Sequence, residues 1–280
     1  TEEKFSPNLS LVYLPHLDYD FQRFGPMDPQ VFPALSEIDE VVGDLISFYE
    51  ARGIRLLILS EYGISPVSNV IYPNRIFRSE GWLSIKDELG LEYLDCGGSR
   101  AFAITDHQVA HIYLNDQSDS FRNKVRSRLE NIEGIEKVLD NESKKEVGLN
   151  HSRAGDFVLF SKEHSWFAYY HWEDDQLAPD FARCVDVHRK YGYDPTELFV
   201  DPSLSFPVLK IARKLIGKKM GFRTSMDLIP LDANLVKGSH GIRPQDHQDW
   251  PVIMGHGIQS TGSTLDPTEV MDCILNLFED

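Results

Sequence analysis

Two short apolar runs with a helical pattern between them constrain this chain of 280 residues more than any other feature. The first, Leu9 to Leu14, is rich in strand formers and stops at Pro15-His16-Leu17-Asp18, so it reads as a buried strand feeding a polar loop. Ser36 starts the helical pattern, with Asp39 three residues on as an imperfect capping box. Ile38, Val41, Val42, Leu45, Ile46 and Tyr49 then follow at helical spacing, and Gly53 ends it. The second run, Ile54 to Leu59, is interrupted only by Arg55, as in parallel strands covered on both faces. Strand, helix and strand make one right-handed crossover unit. In open parallel α/β sheets the ligand-binding loops lie beyond the carboxyl ends of the strands, so His16-Leu17-Asp18 and Ser60-Glu61-Tyr62-Gly63 are expected to approach one another.

Past Trp82 the pattern changes. Short strands at Ala101 to Thr105, Val109 to Leu114 and Phe157 to Ser161, with a helical stretch near Ser120 to Ile132, sit among charged loops and read as an inserted α+β unit. The first sheet resumes at Val252 to Met254, and a closing helix has Asp266 as N-cap, Pro267 at its first position and Glu269 at its third. The expected architecture is α/β: a mostly parallel sheet with helices on both faces built from residues 1–80 and 231–280, and an α+β cap over residues 81–230.

The charge balance limits the partners. Lys plus Arg number 28 against 44 Asp plus Glu, a net charge of -16. Affinity for a phosphate polymer needs clustered cations, so no nucleic-acid polymer is expected. No run approaches the roughly 18 apolar residues of a membrane span; a soluble protein with no membrane partner is expected, with a cytoplasmic location favoured. Cys96, Cys184 and Cys273 are too far apart for a zinc or redox CxxC motif.

Three blocks carry the chemistry. Tyr13-Leu14-Pro15-His16-Leu17-Asp18-Tyr19-Asp20-Phe21-Gln22-Arg23-Phe24-Gly25-Pro26 resembles a signature of the alkaline phosphatase superfamily, in its nucleotide pyrophosphatase/phosphodiesterase branch, where an Asp and a His four residues on hold a catalytic zinc ion. Asp18, Gly25 and Pro26 match, and Gln22 stands where the family has His. Leu57-Ile58-Leu59-Ser60-Glu61-Tyr62-Gly63-Ile64 looks like the family's strand ending in Ser-Asp-His-Gly-Met, with Glu61 and Tyr62 in place of the ligands of a second metal. Gly238-Ser239-His240-Gly241 is similar to the segment whose His completes the first site, and His240 matches.

The resemblance implies a metal-dependent hydrolase of phosphodiester or pyrophosphate bonds in small phosphorylated or nucleotide-like substrates, or the C-terminal part of one. Its Thr or Ser nucleophile is expected upstream of this chain, in the same protein or a separate polypeptide. The metal-site residues are then Asp18, Gln22, Glu61, Tyr62 and His240. Two metals about 4 Å apart would balance charge on the entering and leaving oxygens. Oxygen donors at Gln22, Glu61 and Tyr62 shift the expected preference from the family's zinc toward manganese, magnesium or calcium.

The alternatives stay open. Asp18 fits a ligand or a turn cap, and Gln22 a ligand or a plain hydrogen-bonding group. Tyr62 fits ring packing better than phenolate coordination, because a phenol of pKa about 10 resists deprotonation. His16 faces the same way as Asp18 only if an extended strand persists that far. The aromatic run Trp166 to Trp172, followed by Glu173, Asp174 and Asp175, suits core better than a pocket wall. Asp106-His107-Gln108 and His111 read as local structure, and Asp246, His247 and Asp249 suit support of His240. Loss of three of five recognisable ligands points to a rival reading, a non-catalytic relative that binds a ligand or a protein.

Overall fold

The computed structural model describes residues 7–222, 224–258 and 264–278. Its elements run α1 (His16–Phe24), α2 (Phe32–Glu50), β1 (Leu57–Leu59), β2 (Ser65–Pro66), β3 (Asn69–Ile71), α3 (Pro73–Ser79), β4 (Ser84–Glu88), β5 (Leu91–Asp95), β6 (Ala101–Asp106) and β7 (Val109–Leu114). They continue with α4 (Asp119–Glu130), β8 (Ile135–Leu139), α5 (Ser143–Glu146), β9 (Phe157–Ser161), β10 (Ser165–Phe167), α6 (Pro207–Lys219), β11 (Gly238–Ser239), β12 (Ile253–Gly255) and α7 (Val270–Asn276).

The centre is a four-stranded antiparallel sheet in the order β6-β7-β9-β8. Alternation along β6 and β7 puts Ala101, Ala103, Ala110 and Ile112 into one core. Helix α4 closes it with Phe121, Val125 and Leu129, spaced four apart on one face. A second core gathers Trp166, Tyr169, Tyr170, Trp172 and Phe181, so the aromatic run is interior. Asn74 on α3 joins the two. It is fully buried; its side chain donates to the carbonyls of Ala103 at 3.0 Å and Tyr169 at 3.1 Å and accepts the Ala103 N–H at 2.8 Å.

The mixed α/β class holds, and the sheet detail differs from the sequence expectation. Among the described residues β1 pairs with β12 antiparallel, as β11 does with β2, and β10 with β3 is the one parallel pair of named strands. Burial of an apolar run on both faces does not encode the direction of its neighbour. Leu9 to Leu14 forms no strand: no ladder runs beside it, and Leu11 stays 83% exposed. Asp18 accordingly stands in the first turn of α1 rather than in a loop. The helix expected from Ser36 begins earlier, at Phe32, with Pro33 in its first turn. At the closing helix Asp266 and Glu269 complete the reciprocal capping box.

Asn74→Ala should lower stability by about 2–4 kcal/mol, because it leaves buried backbone groups of Ala103 and Tyr169 unpaired. Urea unfolding of the variant measures it, and a loss below about 0.5 kcal/mol would remove Asn74 from this role.

Candidate functional site

Residues 237–240 sit where three segments meet. The Lys237 N–H donates to the Gln22 carbonyl of α1 at 2.8 Å, and the Lys237 carbonyl accepts the Val67 N–H at 2.9 Å. Gly238 then passes so close to α1 that a Cβ on it would overlap the Phe21 carbonyl oxygen. The His240 carbonyl accepts the Gln108 N–H at 2.9 Å, which ties the segment to the turn between β6 and β7.

This junction assembles a stack. The Tyr62 hydroxyl donates to Asp18 Oδ1 at 3.1 Å, so the two segments expected to approach do touch. The Tyr62 ring lies on His240 with centroids 3.7 Å apart and planes 12° apart. The next ring is His107, 3.9 Å from His240, and Tyr193 follows 4.7 Å from His107. His107 Nδ1 is 3.4 Å from Ser239 Oγ, and Nε2 is 3.9 Å from Asp106. His107 adopts φ 54° at the hairpin tip, a left-handed conformation uncommon outside glycine.

Beside the stack is a cavity of about 350 Å³ bordered by Thr105, Asp106, His107, His111, Tyr193 and His240 among others, with no Lys or Arg in its lining. The Thr105 hydroxyl is buried and without a hydrogen-bond partner. His111 is half-buried, and its Nδ1 accepts the Gly155 N–H at 3.1 Å.

Burial sets the charge states. It pushes the Tyr62 phenol up, and the Asp18 carboxylate that it donates to adds to the shift. It pushes the His107 imidazole well below its ordinary value, with His240 contributing, and lowers His240 as well, where Asp18 and Asp106 oppose it. Near neutral pH the stack is therefore two neutral imidazoles between two phenols, with the Asp18 carboxylate on Tyr62.

The sequence-expected residues divide. Asp18, Tyr62 and His240 come together. Gln22, one turn beyond Asp18 on α1, is fully buried, and neither atom of its amide has a hydrogen-bond partner. Glu61 is exposed beside Tyr62. His16, two helical positions before Asp18, points to another face of α1. His247 stacks on Trp250 at 4.1 Å, and Asp249 accepts the Ser65 hydroxyl at 3.4 Å, so both belong to the neighbouring loop. Glu173, Asp174 and Asp175 border a separate cavity of about 570 Å³.

The sequence reading of His107 as local structure is corrected by its place in the stack, and Tyr193 is an addition to the expected residues. A His in a tight hairpin turn, where Asn-Gly is usual, is the signal that could have marked the first; nothing local marks the second.

Metal fit is partial. Among the described residues no group of three or more His, Cys, Asp or Glu could hold an ion. Asp18 and His240 are ordinary ligands and the unpaired Gln22 amide oxygen is a further donor, fewer than the four of a closed zinc site.

The sequence pattern of the type I phosphodiesterase / nucleotide pyrophosphatase family matches residues 1–194. His240 lies beyond that stretch, so its place rests on geometry. An uncharacterized pyrophosphatase/phosphodiesterase of Schizosaccharomyces pombe is 29% identical over 122 residues, covering 42% of this chain and 24% of the relative. The chain thus spans about a quarter of the length of that curated relative. Phosphonoacetate hydrolase from Sinorhizobium meliloti 1021, solved with phosphonoformate, aligns at 22% identity over 58% of this chain and 38% of its own, with a TM-score of 0.41. Murine ectonucleotide pyrophosphatase / phosphodiesterase 5 aligns at 17% identity over 56% and 38%, with a TM-score of 0.40.

Two outcomes are expected from this geometry. Gly238→Ala should disrupt the junction, since the clash is with backbone, and circular dichroism melts should show a lower Tm; an unchanged melt would contradict the close packing. Stability should also fall with pH. Groups whose folded pKa is depressed bind fewer protons folded than unfolded, so the contribution of His107 and His240 is present above about pH 6.5 and is lost as pH drops below it. Urea midpoints at pH 7 and pH 5 test this, with His240→Gln expected to show a shallower decline.

Proposed function

Because the chain belongs to the type I phosphodiesterase / nucleotide pyrophosphatase family, we propose that it supplies part of the site of a hydrolase acting on phosphodiester or pyrophosphate bonds of small nucleotide-like substrates. The observation that carries the reading is the meeting of Asp18, Tyr62 and His240 from three separate segments, with His240 also bordering the cavity. The family is generally metal-dependent. A divalent ion would be held by Asp18 and His240 with the Gln22 amide oxygen, while Glu61 and the neutral Tyr62 lie close by. Such an ion supplies positive charge to the oxygens of a phosphoryl centre.

The chain's own residues have separable tasks in this reading. Tyr62 donates to one carboxylate oxygen of Asp18, which fixes its orientation and leaves the second oxygen free. His240, held between Tyr62 and His107, keeps a neutral imidazole, the form whose free ring nitrogen can bind a metal ion. The lining without Lys or Arg suits an organic leaving group rather than a second anionic one. No residue of this chain is assigned as nucleophile.

The second reading is a relative that binds a ligand or a protein partner without turnover. It is favoured by Tyr62, a neutral phenol standing where the resembled motif has a metal-binding His.

Calorimetric titration should show manganese, magnesium or calcium competing with zinc more effectively than at a site of His and Asp alone. Tight zinc binding with none of the harder ions would refute that donor set. Hydrolysis of a chromogenic phosphodiester by the protein as produced from its own gene should lose roughly a hundredfold in kcat/KM on Asp18→Ala or His240→Ala, and less on Tyr62→Phe. Ion binding without turnover in any form would establish the second reading.

A further inference from the structure

Helix α6 is turned inside out relative to the usual surface helix, which buries its apolar stripe and exposes its charges. Its cations Lys210 and Lys214 face the body of the protein. Lys210 Nζ donates to the Asp227 carbonyl at 2.6 Å and lies 3.3 Å from its carboxylate; Lys214 Nζ donates to the Ser225 carbonyl at 2.7 Å and also pairs with Asp227. On the opposite side Val208, Leu209, Leu215, Ile216 and Met220 are each at least 52% exposed.

Exposed aromatics mark both ends of the stripe. Phe206 precedes the helix, and Phe222 follows Gly221, whose φ of 88° ends it while the Phe222 N–H returns to the Gly217 carbonyl at 3.0 Å. The charge here is opposite to that of the whole chain. Between Asp201 and Asp227 the sequence has no Asp or Glu, in a protein of net charge -16. Arg213 and Lys218 flank the apolar stripe and Lys219 falls within it in the last turn; none of the three forms an ion pair among the described residues.

We propose that α6, with Phe206 and Phe222, is a docking helix for the surface of an anionic lipid bilayer. It lies in the interface plane with its apolar stripe among the acyl chains and Arg213, Lys218 and Lys219 at the headgroup phosphates. A bilayer fits better than an acidic peptide because the stripe is the convex side of one helix, complementary to a plane, whereas helix recognition needs a groove. The net charge of the chain does not prevent this, since at about 0.1 M salt charges beyond about 10 Å are screened. No helix of the described residues is long and apolar enough to cross a membrane, and the expectation of no membrane partner rested on that length, which does not bear on a helix lying flat. The proposal is independent of the hydrolase reading.

The test is cosedimentation of the 280-residue chain with vesicles of phosphatidylcholine alone and of phosphatidylcholine with phosphatidylserine. Binding to the anionic vesicles only is expected, weakening as salt rises. Leu209→Glu with Ile216→Glu, which keeps every cation, and Arg213→Glu with Lys218→Glu and Lys219→Glu, which keeps the stripe, should each weaken it about tenfold or more. Hydrogen exchange on the unaltered chain gives a readout that does not depend on the variants folding: the α6 amides should gain protection when anionic vesicles are added. No pelleting, equal pelleting with neutral vesicles, or unchanged α6 exchange would overturn the proposal. A dimer that dissociates in the Leu209→Glu, Ile216→Glu variant without any vesicle binding would assign the stripe to a second copy of the chain.

Discussion

The seating of Lys237 to His240 against α1 is the contact on which the candidate site depends. This short stretch is hydrogen-bonded to Gln22 on one side and to Val67 on the other, and its next residue with a large side chain is His240. Only a glycine at 238 lets the backbone reach the Phe21 carbonyl. Asp18, Tyr62 and His240 are therefore positioned by main-chain packing, and the contacts between their side chains follow from it. A rigid junction of this kind is what a site needs in order to hold groups at fixed separations.

Around that junction the protein places few charges. Two imidazoles kept neutral by burial and two phenols form the stack, with the Asp18 carboxylate on Tyr62 at one end and Asp106 beside His107, and no cation among them. The charges are kept behind it. Lys190 is fully buried and pairs with Asp194 at 2.9 Å and Glu197 at 2.6 Å, which anchors the loop carrying Tyr193. The same loop is stitched to β6 by the Thr105 N–H on the Tyr191 carbonyl at 3.1 Å and the Tyr193 N–H on the Thr105 carbonyl at 3.0 Å. Tyr193 thus meets His107 on a fixed support, and the left-handed φ of His107 is held by packing on both sides.

What could be read along the chain was local. Alternation at Ala101 to Thr105 and Val109 to Leu114 marks β6 and β7, the four-residue spacing of Phe121, Val125 and Leu129 marks α4, and Asp266-Pro267-Thr268-Glu269 specifies its own cap. The order of the motifs likewise implies contact between the Asp18 and Tyr62 segments, and the two do touch. Leu9 to Leu14 misled because strand propensity is realised only against a neighbour, and no ladder forms there.

The sequence by itself determined these elements, the acidic charge balance and the three motif blocks, because each depends on residues close together along the chain. The tertiary structure decided the rest: the antiparallel partner of β1, the burial of an unpaired Gln22, the joining of His107 and Tyr193 to His240, and the outward turn of the apolar side of α6. Each of these is set by what lies alongside from a distant part of the chain, and neither a helical nor a strand period carries that information.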